Sequence, residues 1–244
     1  MKHFAAALTV TALLIGPGQA QNQRPPSTGV PPQAAQQPAP ASMPGSVQRG
    51  HDIVEQGTAS GALPCSQCHG MNGAGNGTDA FPRLDGQSAY YLYKQLTDYA
   101  SGARQNEIMS MIAQGLSDAE RQDVAAYYGS QAFTDTLPQQ QPPQQADAQA
   151  LQIGRTIVNV GMPERGVQNC SNCHGPNALG LDPAAPRLAG QWASYARAQF
   201  QAFRDGTRKN DIAAVMRDIS HRITDPEIEA VSAYLEASRP PRLR

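Results

Sequence analysis

Cys65-Ser66-Gln67-Cys68-His69 and Cys170-Ser171-Asn172-Cys173-His174 are two copies of one pentapeptide pattern, and together they hold every cysteine of the chain. Cys-x-x-Cys-His is the attachment signature of a c-type haem. Two thiols three positions apart can each form a thioether with a haem vinyl group, and the adjacent histidine is then held against the iron as its proximal ligand. A porphyrin fixed at two points does not diffuse away, so its edge can lie open enough to exchange electrons. A redox dithiol, a zinc site and a pair of disulfides are the other uses of such spacing. A histidine after both copies, with no cysteine left over, favours haem over all three. The expectation is two covalent haems c, one on Cys65 and Cys68 and one on Cys170 and Cys173, with His69 and His174 as iron ligands.

Outward from the motifs, 244 residues give room for two small domains of ~100–200 residues. Residues 1–20 read as a secretory signal: Lys2, an apolar stretch over 4–15, then Gly18-Gln19-Ala20 as a small-residue cleavage site. That stretch is shorter than the ~20 residues a membrane-spanning helix needs. Export suits the chemistry, because c-type haem is attached outside the cytoplasm in bacteria. The expected location is the periplasm, free or tethered at the membrane. Residues 21–45 are rich in proline and glutamine with almost no charge, a composition that cannot bury enough apolar surface to fold. Residues 138–146 repeat it and mark a linker between domains over 46–137 and 147–244. The formal charge of −1 argues against nucleic acid as a partner. Its distribution is uneven. Residues 46–135 hold five Lys+Arg against ten Asp+Glu, whereas 147–244 hold twelve against ten, a dipole able to orient the molecule toward redox partners.

The two halves align as an internal duplication. Gly50, Ile53, Val54 and Gly57 match Gly154, Ile157, Val158 and Gly161, and the haem motifs follow. Next come Phe81-Pro82-Arg83-Leu84 and Ala185-Pro186-Arg187-Leu188, then Gly86-Gln87 with Tyr91 and Gly190-Gln191 with Tyr195. Apolar spacing predicts helices over 47–56 and 150–160, over 87–101 and 191–205, and over 118–128 and 225–237. Gly102 and Gly206 stop the middle pair, while Ser117 and Thr224, each with Glu three positions on, open the last pair as capping boxes. No segment alternates like a strand, so the expected class is all-α.

A methionine thioether is the soft sixth ligand that raises a haem's reduction potential. Counting back from the final helices, Met109 stands seven positions before Leu116 and Met216 seven before Ile223, with Ile108-Met109 matching Val215-Met216. Met111 competes in the first half, but its counterpart is Asp218. Met162 reads as core filling or surface. His51 and His221 have no counterpart in the other repeat and read as structural or solvent-facing. Pro82 and Pro186 are placed to offer a carbonyl to the imidazole N–H of the ligand histidine, fixing its tautomer. Arg83, Arg187, Tyr91 and Tyr195 are candidate donors to haem propionates, with packing or surface roles as the other reading.

The order Cys-x-x-Cys-His, Pro-Arg-Leu, Gly-Gln, Tyr, Met, then Leu-Ser-Asp or Ile-Thr-Asp and a helix ending in Tyr resembles class I cytochromes c. Duplicated in one exported chain, it resembles the dihaem cytochrome c4 family over about residues 46–238. The resemblance implies two tandem class I cytochrome c-like domains, each all-α around one haem and related by approximate two-fold symmetry with propionates facing the interface. It implies His69/Met109 and His174/Met216 as axial pairs. The implied role is electron transfer in the periplasm between a respiratory donor and a terminal oxidase or reductase, with transient membrane-surface association. The leading expectation is therefore a carrier and not an enzyme. The alternative is a cytochrome subunit of a dehydrogenase complex, flavocytochrome-like. A dihaem oxidoreductase is the weaker reading, since thiosulfate dehydrogenases of similar layout use a cysteine ligand and no fifth cysteine exists here. The proline- and glutamine-rich leader departs from the family pattern.

Overall fold

The structure, a computed structural model, describes residues 44–134, 147–183 and 185–238. The signal stretch, the leader up to residue 43 and the 138–146 linker lie outside the described residues. Everything described belongs to one compact unit, Ala39–Arg244. Among these residues the regular structure is helical, and β-pairing is confined to isolated bridges.

Two lobes repeat one arrangement. Lobe 1 holds α1 (Val47–Gln56), the single-turn α2 (Ser66–His69), α3 (Ala89–Ser101), α4 (Glu107–Gln114) and α5 (Asp118–Ser130). Lobe 2 holds α6 (Ala148–Asn159), α7 (Ser171–His174), α8 (Ala193–Arg204), α9 (Val215–Arg222) and α10 (Asp225–Ala237). In lobe 1, α5 packs on α1 and α3, and α3 also packs on α4; in lobe 2, α10 packs on α6 and α8, and α8 on α9.

The expected helices α1 and α10 have the expected ends. α3 and α8 begin two residues later than expected, because Ser88 and Trp192 are their N-caps and keep extended backbone. α5 runs two residues past Tyr128. Both capping boxes form: Glu120 accepts from Ser117 N–H at 2.7 Å and Glu227 from Thr224 N–H at 2.8 Å. α4 and α9 were not expected as helices. Each has eight residues, too few for two turns of apolar periodicity to stand out.

The repeated glycines mark helix crossings. A Cβ on Gly50 would sit 2.1 Å from Asp123 O, and one on Gly154 2.1 Å from Ala230 O, so α1 on α5 and α6 on α10 meet backbone to backbone. Around these crossings the cores collect. Lobe 1 buries Val54, Leu92, Val124, Ala125, Tyr127 and Tyr128 together. The lobe 2 core includes Ile157, Val158, Phe200, Ile228, Val231 and Leu235, with Met162 buried among them as core filling.

Candidate haem sites

Each haem motif is one helical turn. His69 N–H donates to Cys65 O at 3.0 Å and His174 N–H to Cys170 O at 2.8 Å, which closes the turn and brings the cysteines to one side of the histidine. Gly70 and Gly175 end the turns at φ +73° and +75°, a conformation glycine adopts without strain. His69 and His174 are both buried. His69 Nδ1 lies 3.0 Å from Pro82 O and His174 Nδ1 2.8 Å from Pro186 O. A carbonyl can only accept, so each Nδ1 carries the hydrogen and each Nε2 keeps its lone pair for a metal. Burial pushes both imidazoles below their ordinary value, keeping them neutral, against a smaller opposing effect of those carbonyls. Burial also pushes the Cys65 and Cys170 thiols up to about 11, and all four cysteines are free of disulfides.

The methionines stand on the short helices. Met109 is half-buried in the first turn of α4, where its N–H donates to the capping Asn106 side chain at 2.9 Å. Met216 is partly buried and packs, with Ile219, Cys170 and Leu188, against the lobe 2 core. Met111 is 62% exposed. In each lobe a buried neutral histidine, with no partner at Nε2 among the described residues, and two unpaired thiols give a donor set that fits a c-type haem, and each lobe also carries a half-buried methionine on its short helix. His51 packs edge-on against Tyr127 at 5.5 Å, and His221 is exposed.

The four candidate propionate donors lie where the lobes meet. The Arg83 guanidinium is buried on the Asp85 carboxylate, at 3.0 and 2.6 Å, and also donates to Thr134 O. Among the described residues Arg187 has no such partner, since Ala189 stands where lobe 1 has Asp85. Its Nε is buried without a hydrogen bond among the described residues, an orphaned donor that fits an anionic group. Phe133 sits between the two guanidinium groups, 4.1 Å from Arg83 and 4.4 Å from Arg187. The Tyr91 hydroxyl accepts from Arg208 at 3.2 Å and the Tyr195 hydroxyl from Arg104 at 2.9 Å, each across the lobe boundary, and among the described residues neither hydroxyl has an acceptor for its own hydrogen. Burial raises Tyr195, but the two arginines outweigh it and hold the phenol below its ordinary value.

The family profile for cytochrome c matches residues 54–131 and 164–238, one stretch for each lobe. The chain belongs to the cytochrome c family. It is 40% identical over 195 residues to the thiosulfate dehydrogenase electron acceptor of Stutzerimonas stutzeri, covering 79% of this chain and 88% of that relative. Its fold is similar to reduced recombinant cytochrome c4 from Pseudomonas stutzeri, with a TM-score of 0.69 and 30% identity over 80% of this chain and all of that one. It is also similar to a thiosulfate dehydrogenase from Marichromatium purpuratum, with a TM-score of 0.71 and 33% identity. There the match takes in 79% of this chain but only 40% of the longer one. This is a cytochrome c4-like, haem-binding electron-transfer protein built from two tandem all-α cytochrome c domains.

The cytochrome's lobe boundary holds residues that apolar periodicity passes over. Gln87 and Gln191 served in the sequence only as repeat markers. Arg104, Gln95, Gln199 and Trp192 belong to no motif, and Arg208 enters only through the Asp205-Gly206-Thr207-Arg208 stretch that supports the cytochrome c4 resemblance. Gln95 accepts from Arg104, Arg208 and Asn210, and Gln199 accepts from both arginines. A signal was present: Gln87, Gln95 and Arg104 recur as Gln191, Gln199 and Arg208, each 104 positions on. Polar residues repeated at that period are not needed by a helix stripe.

Proposed function

We propose that the chain is an exported periplasmic electron carrier with two covalent haems c, on Cys65 and Cys68 and on Cys170 and Cys173, ligated by His69 with Met109 and His174 with Met216. Bound there, each haem supplies a one-electron Fe(II)/Fe(III) couple. The observation that carries the reading is the identical holding of two ligand histidines: each is buried and donates through Nδ1 to the carbonyl of the proline in its own lobe's Pro-Arg-Leu stretch. Such fixed imidazoles, with a methionine for each lobe, suit six-coordinate irons that change charge without exchanging a ligand. Pro82 and Pro186 orient the histidines, and Arg187 has a buried Nε–H left for a propionate.

The donor we propose is a dehydrogenase, of the thiosulfate dehydrogenase type named in the relatives, with a respiratory oxidase or reductase as acceptor. All four cysteines lie in the haem motifs, which supports a carrier over a catalyst with a cysteine-ligated iron. One observation favours a stable subunit over a free carrier: the match to the Marichromatium enzyme occupies 40% of a longer chain. Stopped-flow mixing of the oxidised protein with thiosulfate and a purified thiosulfate dehydrogenase tests the proposal. Reduction of both haems is expected with the dehydrogenase present and none with thiosulfate alone. Reduction by thiosulfate alone would make the chain an enzyme, and no reduction in either case would remove this donor. Size-exclusion chromatography of the mixture separates the free carrier from the subunit.

A further inference from the structure

His69 and Gln191 hold opposite ends of one peptide group. His69 Nδ1–H donates to Pro82 O at 3.0 Å, and the N–H of that same Pro82–Arg83 peptide donates to Gln191 Oε1 at 2.9 Å. Lobe 2 repeats the arrangement. His174 Nδ1–H donates to Pro186 O at 2.8 Å, and the N–H of Arg187 donates to Gln87 Oε1 at 2.9 Å. In both cases the glutamine belongs to the lobe opposite the histidine.

The glutamines are fixed as well as placed. Gln191 Nε2 donates back to Arg83 O at 3.0 Å and Gln87 Nε2 to Arg187 O at 3.1 Å, so each side chain grips both backbone groups of one arginine. Their Oε1 atoms also accept from Trp192 N–H and Ser88 N–H. Gln87, Gln191, His69 and His174 are all buried, which keeps bulk water from levelling these bonds.

A peptide whose N–H is donated is polarised and becomes a better acceptor at its carbonyl, by about 10–30% per bond in condensed-phase terms. A better acceptor at Nδ1–H gives an imidazole more anionic character and makes Nε2 a stronger donor to a metal. A stronger donor favours Fe(III) and lowers the potential. We propose that Gln191 is a positioning residue for the lobe 1 iron and Gln87 for the lobe 2 iron, each setting the donor strength of the histidine in the opposite lobe through a single peptide group. This rests on His69 and His174 being iron ligands.

Gln191→Leu and Gln87→Leu in the full-length haem-loaded protein test it, read by lobe-resolved NMR of the histidine Nδ1–H protons during redox titration. Gln191→Leu should raise the lobe 1 potential more than that of lobe 2 and move the His69 Nδ1–H resonance upfield. Gln87→Leu should do the mirror image in lobe 2. Effects falling mainly on the variant's own lobe, equally on both, or on neither would overturn the relay. Should the leucine variant fail to fold, Gln191→Met keeps the side-chain length, cannot accept from Arg83 N–H as an amide does, and must give the same crossed pattern. A wild-type protein without two histidine-ligated irons overturns the ligand reading and the relay together. With both irons histidine-ligated, a missing crossed pattern overturns the relay alone.

Discussion

Burial separates two methionines that stand two positions apart. Met109 is half-buried in α4, whereas Met111 is 62% exposed on the same helix. Met109→Ala and Met216→Ala should each convert one low-spin iron to a five-coordinate or water-bound form in the absorption and electron paramagnetic resonance spectra. Met111→Ala should convert none. The cysteines and histidines of the two proposed sites are legible along the chain because haem attachment needs them contiguous. The proposed methionine ligands are legible only through the register of the repeat, since the 40-residue separation of His69 from Met109 carries no local pattern. Asp85 was not legible. Its role comes from an Arg83 guanidinium two positions away and a Thr134 N–H 49 positions away, all meeting out of water.

Helix pairs depend on close approach and on ion pairs at their ends. Gly50→Ala and Gly154→Ala each put a Cβ within 2.1 Å of a carbonyl oxygen on the partner helix. Backbone cannot swing aside as a side chain does, so each should cost about 1–3 kcal/mol or more in equilibrium denaturation. Asp123 in α5 accepts from Ser46 N–H at 2.6 Å and pairs with Arg49, tying the start of α1 to α5. Burial works against the Asp123 charge, but the bonds from Arg49 and Ser46 outweigh it and hold the carboxyl below its ordinary 3.8. Glu227 in α10 is likewise held below 4.5: burial opposes its charge, while Arg165 and Thr224 outweigh that burial. Both carboxylates bind protons more readily when unfolded. Their stabilisation is therefore complete above the unfolded values and is lost as pH falls through the folded ones. Thermal melts should show a steep loss below about pH 4, where unfolded carboxyls titrate, and Asp123→Asn should flatten that acid dependence. The capping boxes were readable from four residues each. The glycine crossings were visible as repeats, but their cause needed the two helices in contact.

At the scale of both lobes, the boundary is a packed polar and aromatic layer. Trp192 from lobe 2 is 4% exposed and donates through Nε1 to Ala74 O of lobe 1 at 3.0 Å, and its ring lies against Gly77. Trp192→Ala should cost about 3–5 kcal/mol and speed hydrogen exchange along the boundary. Trp192→Phe, which keeps most of the packing but strands the Ala74 carbonyl, should cost about 1–3 kcal/mol. A change below about 0.5 kcal/mol in either, the size of an ordinary surface substitution, would show that the lobes do not rest on this residue.

Chemistry carried by neighbours in sequence was readable before folding: thiols and imidazole in one turn, Ser and Glu in a cap, apolar residues on one helix face. Each obeys a short-range rule, and the duplication displayed each twice. The joining of the lobes was not readable. Its hydrogen bonds link residues 91 to 118 positions apart, and both partners are polar or backbone groups that no periodicity selects. Gln87 and Gln191 acquire partners only when two folded lobes bring a backbone peptide to each amide. That the chain holds two haem motifs is a property of its order; that each histidine answers to a glutamine in the other lobe is a property of its packing.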